Sequence, residues 1–292
     1  MSNFSSNIDF KSTNVRNNYR RIFVHAIFSF LYILFPGLID NFISKHFFVP
    51  NKYPVTDEEK ELLEQSKAFQ LVVDNETIMC WQWGNGPFIL LAHGWNGHGS
   101  QFIYIINALL KSGHSVITFD GPAHGQSEGR TSSYFQMSDA VRALINHIQP
   151  EHLKGLIGHS FGASAIINAV LKESIDTLVI LISPAIDLKR ILESYFLQNG
   201  IPLTILYKAI SEYEERFGYN LEKDNPLNLL KSIDQEVLII HDEDDIITSF
   251  NESMRVSEVN KSLILKSSRG LGHKRILFDK TIMSWILEYL KN

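Results

Sequence analysis

The chain has 292 residues, 45% hydrophobic and 20% charged, with a formal net charge of −5. That balance fits one large α/β domain or two small ones, supplies a sizeable core and excludes wholesale disorder. The acidic balance gives no electrostatic footing for nucleic acid, and the single cysteine, Cys80, excludes an intramolecular disulfide and a cysteine-based zinc site.

Residues 1 to about 18 are rich in Ser and Asn and read as a loose tail. Ile22 to Phe35 follows as a strongly apolar stretch behind Arg16, Arg20 and Arg21. It is shorter than the roughly 20 residues of a comfortable membrane span, and no small-x-small cleavage site follows it. As a helix, its polar groups Asn18, Arg21, His25, Ser29 and Tyr32 form one narrow stripe, and the remainder calls for burial. Pro36-Gly37 breaks it before a second, amphipathic helix with Leu38, Ile39, Phe42, Ile43 and Phe47. Residues 1–60 thus form a tail and helical arm with two readings. The arm packs on its own domain or a second subunit, or else it touches a membrane surface or walls an apolar substrate channel.

Pro54 and the helix start Thr56-Asp57-Glu58-Glu59 mark a connection. Strands are predicted at Phe69–Val73, Ile78–Trp83, Phe88–Ala92, Ser115–Phe119, Leu153–Ile157, Thr177–Ile182, Val237–His241 and Leu263–Leu265. Helices are predicted near Gln101–Lys111, Tyr134–Ile148, Phe161–Leu171, Asn251–Val259 and Ile276–Leu290. Continuous Val/Ile/Leu strands imply a parallel sheet covered on both faces, opened by an antiparallel hairpin. About fifty residues between Pro184 and Val237 exceed an ordinary crossover. Leu188, Ile191, Leu192, Tyr195 and Phe196 share one helical face, as do Leu203, Leu206, Ile210, Tyr213 and Phe217. We read about 185–233 as a cap over the carboxyl ends of the strands, within an α/β domain spanning 61–292.

Gly158-His159-Ser160-Phe161-Gly162 lies directly between a predicted strand and a predicted helix. A G-x-S-x-G sequence there permits a turn sharp enough to lift the serine oxygen out of the sheet. A serine hydroxyl is a weak nucleophile until a base takes its proton, and that base needs an orienting partner. Among eleven histidines, His273 stands on the Gly270-Leu271-Gly272 loop after the last strand and is favoured over His159. For the acid, Asp242-Glu243-Asp244-Asp245 ends a strand; Asp245 is favoured, with Asp244 and Asp242 as alternatives. Two N–H donors are needed for an oxyanion, and Trp95, in the bend His93-Gly94-Trp95-Asn96-Gly97, and Phe161 are placed to supply them. Asp120 and His124, in Phe119 to Ser127, read as braces of the loop. The acidic run lacks the spacing of a metal shell, and no phosphate-binding glycine motif follows a strand.

With these landmarks in order, the chain from about Phe69 onward resembles the α/β-hydrolase superfamily, in particular bacterial single-domain serine hydrolases with an HGW oxyanion segment. The resemblance implies an α/β-hydrolase fold of about eight strands, a helical cap, and a Ser160–Asp245–His273 triad. It implies a serine hydrolase that cleaves a carboxylic ester or thioester through an acyl-enzyme, without cofactor or metal. Acyl transfer or C–C bond hydrolysis on the same triad, and a non-catalytic binding protein of this fold, are the alternatives. Cap residues Tyr195, Phe196, Leu206 and Tyr213 are expected to line an apolar substrate pocket. A cytoplasmic setting is expected, with the arm available for peripheral membrane contact or self-association.

Overall fold

The structure is a computed structural model that describes residues 10–291, with side chains from Asn18 onward except that of Ser44. The arm comprises α1 (Phe10–Leu34) and α2 (Pro36–Phe47). The expected tail therefore lies outside the described residues only up to residue 9, and the chain is already helical at Phe10. Next, α3 (Asp57–Glu64) starts on a capping box. Thr56 Oγ1 accepts the Glu59 N–H at 3.3 Å, and Glu59 Oε2 accepts the Thr56 N–H at 2.8 Å.

Eight strands form one sheet. They are β1 (Lys67–Val73), β2 (Glu76–Trp83), β3 (Phe88–Ala92), β4 (Ser115–Phe119), β5 (Leu153–His159), β6 (Leu178–Ile182), β7 (Val237–Asp242) and β8 (Leu263–Ser268). Their spatial order is β1-β2-β4-β3-β5-β6-β7-β8. The pairs β1/β2 and β2/β4 are antiparallel; every later pair is parallel. The opening hairpin turns at Asp74 and Asn75, both with positive φ, the geometry that matches strand twist in a two-residue loop.

Between the strands run α4 (Ile103–Lys111), α5 (Tyr134–Ile148), α6 (Phe161–Glu173), α7 (Leu188–Gln198), α8 (Leu203–Phe217), α9 (Pro226–Ser232), α10 (Phe250–Val259), α11 (Gly272–Arg275) and α12 (Lys280–Tyr289). Central strand residues alternate strictly between two cores. Leu90, Leu156, Val179, Leu181 and Ile239 face α5, α6, α9 and α10. Ile89, Leu91, Ile157, Ile180 and Ile240 face α3, α4 and α12. Burial on both faces is why these strands are apolar throughout, each buried aliphatic side chain contributing about 1.5–3 kcal/mol. Cys80 belongs to the first core, where burial pushes its thiol up to about 12.

One expectation needs correcting. The C-terminal helix is not continuous from Ile276; it restarts at Lys280 because Asp279 Oδ1 caps the N–H groups of Thr281 and Ile282 at 2.8 and 3.2 Å. Within the segment read as a cap, α9 packs on the body through Leu230 in the main core.

Candidate active site

Ser160 occupies the turn from β5 into α6, with φ 54° and ψ −118°. A non-glycine residue held there stores about 1–3 kcal/mol of strain. The turn closes because atoms are missing on either side. A Cβ on Gly158 would stand 2.4 Å from Ala163 Cα, and one on Gly162 would stand 2.3 Å from the Ala92 carbonyl oxygen. Strand β6 then pins the turn: the Ser160 N–H donates to the Ile182 carbonyl at 2.9 Å, and the Ala185 N–H donates to the Ser160 carbonyl at 3.3 Å. Ser160 keeps 8% of its surface exposed, and that surface opens on a cavity.

Asp245 and His273 meet each other, and Thr248, which touches both, lines the same cavity as Ser160. His273 Nδ1 donates to Asp245 Oδ2 at 2.7 Å, with the carboxylate side chain fully buried. Thr248 Oγ1 donates to the same oxygen at 3.0 Å, and His241 Nε2 stands 3.3 Å from it. The other oxygen accepts the N–H groups of Ile247 and Thr248 at 2.8 and 3.0 Å. Burial alone would raise the Asp245 pKa. The hydrogen bonds from His241 and His273 and the charge of His273 outweigh it and hold the carboxyl well below the usual carboxylate range. With Nδ1 committed to the carboxylate, Nε2 is the basic nitrogen of His273. Among the described residues the Ser160 hydroxyl donates no hydrogen bond.

The loop carrying His273 is held from two sides. Asp242, fully buried at the end of β7, accepts the N–H groups of Gly272 at 2.9 Å and Leu271 at 3.0 Å, together with the Ser268 hydroxyl at 2.8 Å. Burial opposes ionisation, but these donors win and keep its pKa low. From the other side, His159 Nε2 donates to the His273 carbonyl at 2.9 Å, and the two imidazole rings lie 4.7 Å apart. Burial pushes His159 down to about 3, helped by the nearby His273, so it is neutral and committed.

Neutral histidines also lock the loops above β3 and β4. His93 donates from Nδ1 to the Gly94 carbonyl at 2.7 Å and accepts the Gly121 N–H at Nε2 at 2.8 Å. His124 donates to the Pro122 carbonyl at 2.9 Å and accepts the Asn96 N–H at 3.2 Å. Burial lowers their pKa values to about 4 and about 3. Asp120 accepts the N–H groups of Gly99 and Gln126, each at 2.7 Å. The bend these bonds fix carries Trp95, whose ring meets that of Phe161 edge-on at 5.3 Å. Among the described residues the N–H groups of Trp95 and Phe161 donate to no protein acceptor. Both residues border the cavity alongside Ser160.

That cavity measures about 570 Å³. Its walls are mostly apolar: Leu188, Ile191 and Tyr195 from α7, Ile210 and Tyr213 from α8, and Phe47 and Phe48 from the end of the arm. Of the four cap residues expected there, Tyr195 and Tyr213 line it. Phe196 and Leu206 do not; both are fully buried with Ile43, Phe48 and Ile205 between cap and arm. Adjacent helical positions point about 100° apart, so Tyr195 and Phe196 cannot share one wall. Leu206 lies one turn before Ile210, where the arm covers it. From the sequence, His241 was passed over and Asp242 was named only as an alternative to Asp245; each looks like the last residue of a buried strand, and only the folded loops give them partners.

Residues 87–199 match the family model described as alpha/beta hydrolase fold. The lysophosphatidylserine lipase ABHD12 of Danio rerio is 27% identical over 236 residues, which cover 70% of this chain. The match takes in 58% of that relative, so the chain spans little more than half its length. Among solved structures, the esterase Pf2001 of Pyrococcus furiosus aligns with a TM-score of 0.63 at 22% identity, covering 83% of this chain and 98% of that one. A thioesterase domain from the curacin biosynthetic pathway aligns with a TM-score of 0.58 at 16% identity, covering 78% and 99% respectively.

Proposed function

We propose, on the premise that this chain has the α/β-hydrolase fold, that it is a serine hydrolase of carboxylic esters or thioesters. The observation that carries the reading is the buried 2.7 Å Asp245–His273 bond, joined through Thr248 to the apolar cavity that a strained Ser160 faces. His273 Nε2 takes the Ser160 proton as Oγ attacks the substrate carbonyl, and the proton then passes to the departing alcohol or thiol. Asp245 holds the imidazole in the Nδ1–H tautomer and steadies its transient positive charge. The N–H groups of Trp95 and Phe161 bind the oxyanion, a pair of donors of which each typically lowers the barrier by about 3–4 kcal/mol. Water, deprotonated by His273, releases the acyl group from Ser160. The esterase, thioesterase and lipase named above support this class of substrate.

A fluorophosphonate probe tests the reading. The wild type should label and Ser160→Ala should not, with p-nitrophenyl ester turnover falling by about 10⁴-fold or more in the variant. Equal labelling of both proteins would overturn it.

A further inference from the structure

The arm presents an apolar face that nothing in the described chain covers. Along α1, Phe23, Ile27, Phe30 and Ile33 recur every three or four residues, and Phe30 and Ile33 are 62% and 78% exposed. Leu38 and Phe42 of α2 are exposed as well. The opposite side of the same helices is spoken for: Phe28, Tyr32, Ile39 and Ile43 pack on α7 and α8. An apolar stripe of this extent, on a helix otherwise anchored, marks an interaction surface.

Charge selects the partner. Residues 1–50 hold five Lys or Arg against two Asp or Glu, whereas the remaining 242 residues are acidic with a net −8. Two such arms repel one another, but a cationic arm with an apolar face suits an anionic lipid surface. Among the described residues no helix is long and apolar enough to cross a membrane. The same arm ends at the cavity: Phe47, Phe48 and Val49 form part of its wall, and the Asn51 N–H donates to Asn96 Oδ1 at 2.7 Å, next to Trp95.

We propose that α1 and α2 lie flat on an anionic lipid surface and bring the cavity to it, so that the substrate is an amphiphilic acyl ester taken from that surface. The docking half stands on the arm alone; the substrate half rests on the hydrolase reading above.

Flotation with phosphatidylcholine vesicles, with and without phosphatidylglycerol, separates the two. Wild type and Ser160→Ala should both float with the phosphatidylglycerol vesicles, and added salt should weaken this. The double variant Phe30→Glu/Ile33→Glu alters only exposed positions and should stay in the soluble fraction. It should keep wild-type turnover of a short, water-soluble p-nitrophenyl ester while losing about ten-fold or more on a vesicle-dispersed monoacyl ester. Failure of the wild type to float, or flotation of the double variant, overturns the docking. A wild-type dimer in light scattering that the double variant dissolves assigns the face to a second copy and overturns it too. Equal turnover of the dispersed ester by both proteins overturns the substrate half.

Discussion

At the scale of single residues, Asp245 concentrates the site's electrostatics. One carboxylate oxygen serves His273, Thr248 and His241, and the other serves two backbone N–H groups. Asp245→Asn preserves shape but presents a donor or a neutral oxygen to His273 Nδ1, which favours the wrong tautomer. We expect kcat to fall about 10⁴-fold with a near-native circular dichroism spectrum; a loss under ten-fold would show that His273 is not the base. Asp245 and His273, both picked from the sequence, stand in contact because each follows a strand whose end is easy to read. His241 was illegible for the opposite reason. A histidine closing an apolar strand looks like core until the partner at its ring nitrogen is known.

At the scale of elements, the loop after β8 has little apolar anchorage and depends on Asp242. Asp242→Ala strands the N–H groups of Leu271 and Gly272 and the Ser268 hydroxyl. Charged hydrogen bonds of this kind are worth about 1.5–3 kcal/mol each, and relaxation of the loop toward water recovers part of that. A loss of about 3 kcal/mol in urea unfolding is expected, with kcat falling more than KM rises, because in the proposed mechanism the loop positions a base rather than a substrate. An unchanged urea midpoint would remove Asp242 from this role. The eight strands were legible here because burial on both faces leaves no polar alternation to confuse them. The helices of the arm were only half legible: periodicity defined their faces, but it demanded burial for residues such as Ile33 that the fold leaves exposed. Which face of an apolar helix meets protein is decided by its neighbours, here Phe196 and Leu206.

At the scale of the whole molecule, three buried imidazoles make stability a function of acidity. His93, His124 and His159 are held neutral down to about 4, 3 and 3. In the unfolded chain each binds a proton near pH 6.5, so between about pH 6.5 and 4 unfolding takes up protons and stability falls as pH falls. The slope is about 1.4 kcal/mol per pH unit for each histidine. Asp242 and Asp245 have depressed values, so their contribution persists through that window and is lost only below about pH 4. The urea midpoint should therefore drop steeply from pH 7 to pH 5, and a flat profile would contradict the neutral assignments. The arm has a different reach. It supplies part of the wall around the cavity yet none of the proposed acid, base or nucleophile, so under the proposed function the fit of the substrate is physically separate from bond cleavage. Exchanging the first fifty residues for those of another protein of this architecture would then retune what is admitted while leaving the reaction itself intact, a modular division that evolution or engineering can exploit one half at a time.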